Sequence, residues 1–428
     1  MSDSSETDGA QAPPADTPSA APALPVRHAP EQPTPPVVAD ADTLAECLAD
    51  LAAAAGPFAV DVERAGSYRY TQRAYLIQIT RADARIWLID PIAVPSLGDL
   101  GQLLAADEWV LHAASQDLPS LAELDLHPPS VFDTELAGRL LGLERVGLSA
   151  MLERYLGVSL AKAHSAADWS RRPLPQAWLA YAALDVELLI ELRDLLAAQL
   201  AGAGRAEWAA EEFEAVRTAG PPEPRVDPWR RVKGLSTRSP RTLAIARELW
   251  LARDRLASRM DRAPSKILPD STIAALAASP PASRQDLDAL PAMRHQKPDR
   301  LRAWWGAIEA GRAVRGDQLP SLRAANSGPP NPRSWDRIDP LAAARLEAAR
   351  SVLSQLAEGV GMPRENLLAP RVVRDSVWRL SGQPAPDSQT LAQLLADEGA
   401  RRWQIDQVAD RLAAAIAGAK SPEPAAGQ

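Results

Sequence analysis

The run Phe58-Ala59-Val60-Asp61-Val62-Glu63 is apolar up to Asp61, then carboxylate, apolar, carboxylate. Its β-branched valines, set between Gly56-Pro57 and Gly66, predict a strand. Side chains alternate across a strand, so Asp61 and Glu63 share one face while Val60 and Val62 share the other. Runs at 75–80 and 85–90 predict two more strands. The short connections at 64–74 and 81–84 make all three antiparallel neighbours. The period then changes. Helices are predicted at 97–105, 118–124, 134–143 (capped by Asp133-Thr134) and 148–156, with strands at 109–112 and 131–132 between them. Upstream, Asp42 reads as the N-cap of a helix reaching about residue 55. A long helix is predicted over 177–200, entered from Leu174-Pro175. Antiparallel strands followed by βα units give a ribonuclease-H-like α/β plan, a mixed sheet flanked by helices. Beyond residue 235 the pattern is wholly helical, at 243–260, 271–277, 283–290 and 299–312, then at 341–358, 369–380, 388–396 and 403–417. The two sets share an outline and read as a loose repeat.

Composition divides the chain further. At 428 residues it is too long for one ordinary core. Residues 1–36 are rich in Pro, Ala and acids and read as a disordered tail, as do 421–428. The α/β domain is expected over 37–218, a Pro/Arg linker over 219–235 and a helical domain over 236–316. A second linker over 317–334 then leads to a second helical domain over 335–420. A linker with few crossing contacts makes the N-terminal part separable near residue 220. The net charge of −8 excludes wholesale polyanion binding. It leaves room for a local patch, and residues 225–262 carry eleven basic side chains against four acidic ones. One cysteine, Cys47, excludes an intrachain disulfide and a cysteine-based zinc site. With no membrane-length apolar run and no leader pattern, a cytoplasmic protein is expected.

Two carboxylates side by side on a pleat repel each other unless a cation sits between them, and an oxygen-only donor pair suits Mg²⁺ or Mn²⁺. Asp117 follows the 109–112 strand, where an acid alone would read as a helix cap. Tyr181 and Asp185 stand one helical turn apart on one face. Two-metal hydrolysis of a phosphodiester needs several carboxylates around ions roughly 4 Å apart.

In that order, Asp61-x-Glu63, Asp117 and Tyr181-x-x-x-Asp185 resemble the three motifs of the DEDD 3′→5′ exonuclease superfamily, tyrosine branch. More narrowly, the chain is similar to ribonuclease D. This rests on Asp61 to Arg64, Tyr75 to Ile79, His112 to Leu118, Asp133-Thr134 and Trp169 to Val186, and the likeness spans about residues 37–217. Residues 246–250, 263–271 and 289–293 resemble the HRDC module, a helical bundle shared with RecQ-type helicases, and 365–370 resembles the turn of a divergent second copy. The resemblance implies an exonuclease domain followed by two all-α HRDC-like bundles. It implies metal ligation by Asp61, Glu63, Asp117 and Asp185 to two divalent ions, with Tyr181 at the attacking water. The implied activity releases nucleoside 5′-monophosphates from RNA, in the maturation of transfer RNA precursors or other small structured RNAs. Alternatives are a DNA exonuclease and a noncatalytic nucleic-acid scaffold. Tyr75, Gln78, Trp169, Arg171, Arg230, Arg231 and Lys233 are candidate substrate contacts.

Overall fold

The computed structural model describes residues 24–161, 166–220, 224–235, 239–322 and 328–421. The first 23 residues of the expected tail, the 422–428 end and parts of both linkers lie outside the described residues.

Among the described residues there are eight strands. They are β1 (Val26–Arg27), β2 (Val37–Val38), β3 (Phe58–Arg64), β4 (Ala74–Arg81), β5 (Trp87–Ile89), β6 (Trp109–Leu111), β7 (Val131–Asp133) and β8 (Ser159–Leu160). Six form one sheet in the order β2-β5-β4-β3-β6-β7. β3 pairs antiparallel with β4 and β4 with β5, as the short connections predict, while β6 and β7 continue in parallel. β3 is therefore interior, with a neighbour on each side. Its register sets Asp61 opposite Gln78 and Glu63 opposite Leu76. A bulge after Glu63 admits Tyr75 as an extra residue, so Tyr75 and Leu76 both enter the same core.

The sheet is covered on both faces. α1 (Ala41–Ala53) packs beneath it with α2 (Gly98–Leu104) and α3 (Leu118–Ala122). These helices meet Phe58, Val60, Val62, Ile77 and Ile79 in one buried cluster. The cap of α1 is Asp40, whose carboxylate accepts from the Thr43 amide at 2.8 Å, and not Asp42, which lies in the first turn. Then come α4 (Thr134–Leu140), α5 (Leu148–Leu156), α6 (Gln176–Glu187), α7 (Leu189–Gly202) and α8 (Ala206–Arg217). α6 lies across β3 and β4 on the face that carries Ala59 and Leu76. The helix expected over 177–200 is two helices that break at Leu188. Within the stretch read as a tail, β1 pairs with β8, and Arg27 forms an ion pair with Glu187 at 3.2 Å. Two main-chain pairings and one buried-side ion pair are enough to hold a segment with little apolar bulk of its own.

The first helical bundle comprises α9 (Pro240–Arg259), α10 (Pro264–Ile267), α11 (Asp270–Ala278), α12 (Arg284–Ala289) and α13 (Pro298–Ala313). It has its own core around Leu249, Ile267, Ile273 and Trp304. The second follows the same order after a short α14 (Trp335–Ile338). It comprises α15 (Pro340–Val360), α16 (Arg364–Leu367), α17 (Pro370–Arg379), α18 (Ser388–Asp397) and α19 (Arg402–Gly418).

The bundles attach to the α/β domain by different chemistry. The first clamps the β3–β4 loop with polar contacts. The Asp261 carboxylate accepts from the amides of Tyr70 and Thr71 and from the Thr71 hydroxyl at 3.2, 3.0 and 2.9 Å. The Ala263 amide donates to the Tyr68 carbonyl at 2.9 Å. The second bundle merges its core with that of α4 to α8 in one continuous cluster. Trp208 stacks on Trp403 at 4.7 Å between centroids, and the Trp403 indole donates to Glu212 at 3.0 Å. The Arg205 guanidinium joins the carbonyl ends of α4 and α15, donating to Leu140 and Val360. The expectation of few contacts across residues 219–235 thus fails. The linker itself buries Trp229 and Val232.

Candidate active site

The predicted acids converge from three elements. Asp61 and Glu63 leave β3 on the face opposite Val60 and Val62, which are buried in the other core layer. Asp185 comes down from α6. The small Ala182 and Ala183 lie fully buried there and let the helix approach the sheet. One carboxylate oxygen from each of Asp61, Glu63 and Asp185 lies within 4.8 Å of the others. Tyr181 sits one turn earlier on α6 and lines the same cavity, of about 490 Å³.

Asp117 lines that cavity from the other side but stands outside the trio. It occupies the N-cap position of α3, yet its side chain makes no capping hydrogen bond. It is 5% exposed and faces the Arg64 guanidinium at 3.4 Å. The turn that carries it is built on Asp133. That carboxylate caps α4 through the Glu135 and Leu136 amides, and it also accepts from the amides of Ala113 and Ala114 at 3.1 and 2.8 Å. Ala113 takes a left-handed conformation, φ 61°, so that these amides can converge. The sequence marks Asp133 only as a cap. Its second role spans 20 residues, and no local pattern carries it.

The electrostatics are those of a cation site. Burial raises the carboxyl groups of Asp61, Glu63, Asp117 and Asp185 above the ordinary carboxylate range. Repulsion from Asp61 adds to the effect at the other three, and Arg64 offsets part of it at Asp61, Glu63 and Asp117. Burial, then Asp185, Glu63 and Asp61, push the Tyr181 phenol upward, so its hydroxyl keeps its proton. Crowded, desolvated carboxylate oxygens with no thiol or imidazole among them fit a hard divalent ion.

The expected substrate contacts are placed otherwise. Tyr75, Gln78 and Trp169 are 3%, 0% and 0% exposed, packed between the sheet and α6, with Trp169 edge-on to Trp178. Buried on the inner face of β4 and beneath α6, they expose almost no surface to a nucleotide in this structure. Arg171 is exposed, but its neighbour Arg172 makes the contacts, to Asp90 at 2.5 and 2.8 Å and to the carbonyls of Tyr75 and Trp169. Arg230 is tied to Asp227 and to the Ser321 carbonyl. Arg231 and Lys233 are exposed on the linker and do not line the cavity. Of the basic run, Arg253 is buried against Asp270, and Arg241 caps the carbonyl end of α13. Composition counts these charges as if all were available, but the fold consumes several of them. Among the described residues no helix is long and apolar enough to cross a membrane.

Comparison with known proteins agrees with this geometry. Residues 35–201 match a protein family described as 3′-5′ exonuclease, 242–306 the HRDC domain, and 328–416 a 3′ to 5′ exonuclease C-terminal domain. The chain is similar to ribonuclease D of Acidiphilium cryptum, at 32% identity over 85% of this chain and 90% of the relative. It is also similar to ribonuclease D of Gluconacetobacter diazotrophicus, at 31% identity over 77% and 82%. A crystal structure of a protein from Bifidobacterium adolescentis covers 92% of the chain and all of its own length, at 34% identity and a TM-score of 0.85. Escherichia coli RNase D, at 22% identity and a TM-score of 0.60 over 85% of this chain and 98% of its own, shares the fold. The likeness thus runs through both helical bundles as well as the acidic cavity, and the chain belongs to the ribonuclease D family of 3′→5′ exoribonucleases.

Proposed function

We propose that Asp61, Glu63, Asp117 and Asp185 hold two divalent metal ions, Mg²⁺ or Mn²⁺, and that Tyr181 orients the attacking water. The observation that supports this most is the gathering of three carboxylates within 4.8 Å, with Tyr181 one turn from Asp185 in the same cavity. Bound metal supplies an activated water and charge stabilisation at the leaving oxygen. The chain's residues do the rest. The acids fix where the scissile phosphate sits, and the protonated Tyr181 hydroxyl hydrogen-bonds the water. Arg64, beside Asp117, places a positive charge at the cavity wall. Water adds to phosphorus, the bond to the preceding O3′ breaks, and that oxygen takes a proton to become the new 3′-hydroxyl. The product is a nucleoside 5′-monophosphate. The substrates proposed are transfer RNA precursors and other small structured RNAs, in keeping with the family.

A single-stranded RNA labelled at its 5′ end tests this. With Mg²⁺ or Mn²⁺ it is expected to give a ladder shortening by one nucleotide at a time from the 3′ end, and chelation is expected to stop it. Internal cuts, or undiminished cleavage after chelation, would overturn the proposal. A matched DNA oligonucleotide in the same assay decides between ribose and deoxyribose substrates.

A further inference from the structure

His112 lies just beyond β6 and lines the catalytic cavity, yet it belongs to none of the acidic motifs. Its contacts with Thr134 select one tautomer as the better satisfied. The Thr134 hydroxyl has one hydrogen, and the Leu111 carbonyl at 3.2 Å, which only accepts, offers it a partner. With that hydrogen on Leu111, the same oxygen, 2.9 Å from Nδ1, accepts from the imidazole. The tautomer that satisfies both contacts at once carries its proton on Nδ1 and leaves Nε2 as an acceptor. Thr134 is fully buried at the start of α4, so this arrangement is rigid. Burial also pushes the imidazole down to about 4, which keeps the ring neutral. With Nδ1 taken up by Thr134, the nitrogen left for the cavity is Nε2.

Of the other polar side chains of the cavity, Gln116 also carries an amide oxygen that accepts, but it is exposed and, among the described residues, no hydrogen bond orients it; the rest serve differently. The four acids form the cation site. Arg64 only donates, and Glu135 is occupied by Arg139 at 2.6 Å. The Tyr181 hydroxyl is protonated. His112 thus provides a neutral, oriented acceptor beside the place where the 3′-terminal nucleotide must sit for its phosphate to reach the acids. A ribose 2′-hydroxyl is a donor of the matching kind, and deoxyribose has no such group. Resting on the exonuclease reading of this cavity, we infer that His112 is a specificity-determining residue. The 2′-hydroxyl of the 3′-terminal ribose donates to its Nε2, and Thr134 is the positioning residue that sets the tautomer.

The test uses the full chain and two RNA oligonucleotides that differ only at the last nucleotide, ribo or 2′-deoxy, under single-turnover conditions with Mg²⁺. The wild type is expected to remove the ribo end roughly 10- to 100-fold faster, the scale of one buried hydrogen bond made or left unmade. In His112→Phe the ribo-ended rate should fall more than the deoxy-ended rate, bringing the ratio within about 3-fold. Thr134→Val, which removes the acceptor for Nδ1–H, should lower the ratio in the same direction. Thermal melting separates either effect from misfolding. Terminal adenosine and terminal uridine are run in parallel, because an acceptor could also meet a base amino group. A wild-type ratio near one, a ratio unchanged in both variants, or a ratio that follows the base rather than the sugar would each overturn the inference. Failure of all cleavage in the wild type would instead count against the exonuclease reading itself.

Discussion

Asp61, Glu63 and Asp185 repel one another without a cation, and this has a measurable sign. Their carboxyls and that of Asp117 are raised in the folded state, so the metal-free fold binds protons more tightly than the unfolded chain. The stability this contributes is full below about pH 4 and is lost as pH rises through the folded values. Asp61→Asn removes one buried charge and relieves its neighbours. At pH 8 without metal the variant is expected to be more stable than wild type by roughly 1–2 kcal/mol, with a shallower fall from pH 5.5 to 8 and little nuclease activity. Melting curves at both pH values, with and without Mg²⁺, check this, and identical pH slopes would contradict it. At this scale the site was largely legible. Alternation in β3 put two acids on one face, and helical spacing paired Tyr181 with Asp185. His112, Arg64 and Asp133 were not legible, because their roles depend on partners from other elements. Tyr75, Gln78 and Trp169 were misplaced because an aromatic or amide beside a motif looks the same whether it faces the cavity or the core.

At the scale of elements, two helix ends meet backbone to backbone. Gly142 follows α4 and Gly361 ends α15, both left-handed, at φ 76° and 71°. A Cβ on Gly142 would collide with the Gly361 carbonyl. Gly142→Ala adds this clash to the cost of a side chain in the left-handed region, for a destabilisation of roughly 2–4 kcal/mol. Gly359→Ala, inside α15 with nothing within 4 Å, serves as the contrast and should be neutral or stabilising by up to about 1 kcal/mol. Chemical denaturation of the two variants reads the difference, and equal stabilities would deny the backbone contact. Most elements of seven or more residues were visible in the sequence, since their periodicity is long enough to register, but the twelve-residue α8 was not expected. The two-residue strands β1, β2 and β8 have no period to detect, and the break at Leu188 has no Gly or Pro to announce it. Asp40 and Asp42 are equally good caps by composition, and only the chain path chooses between them.

Across the whole molecule, the two bundles differ in how they are held. The first has a closed core and grips the β3–β4 loop by hydrogen bonds around Asp261. The second completes the apolar core of the nuclease domain. Ending the chain at residue 220 would strip cover from Trp208 and open the core that α4 to α8 share with the second bundle. Such a fragment is expected to lose roughly 3 kcal/mol or more of stability and to aggregate, because large apolar side chains each lose about 1.5–3 kcal/mol of burial. Soluble yield and melting temperature of the fragment check this, and a melting temperature within a few degrees of the full chain would refute it.

The stacking of Trp208 on Trp403 also has a meaning in time. α8 ends at Arg217 and α19 begins at Arg402, so about 185 residues must be made between the two halves of one core. At ~5–20 residues per second that interval is roughly 10–40 s. Throughout it the catalytic domain exists with an open apolar side, within reach of chaperones and proteases. An interrupted message would therefore yield an incomplete product that is fragile rather than an unrestrained nuclease. α19, made well after the acids of the cavity, completes the core on which they rest.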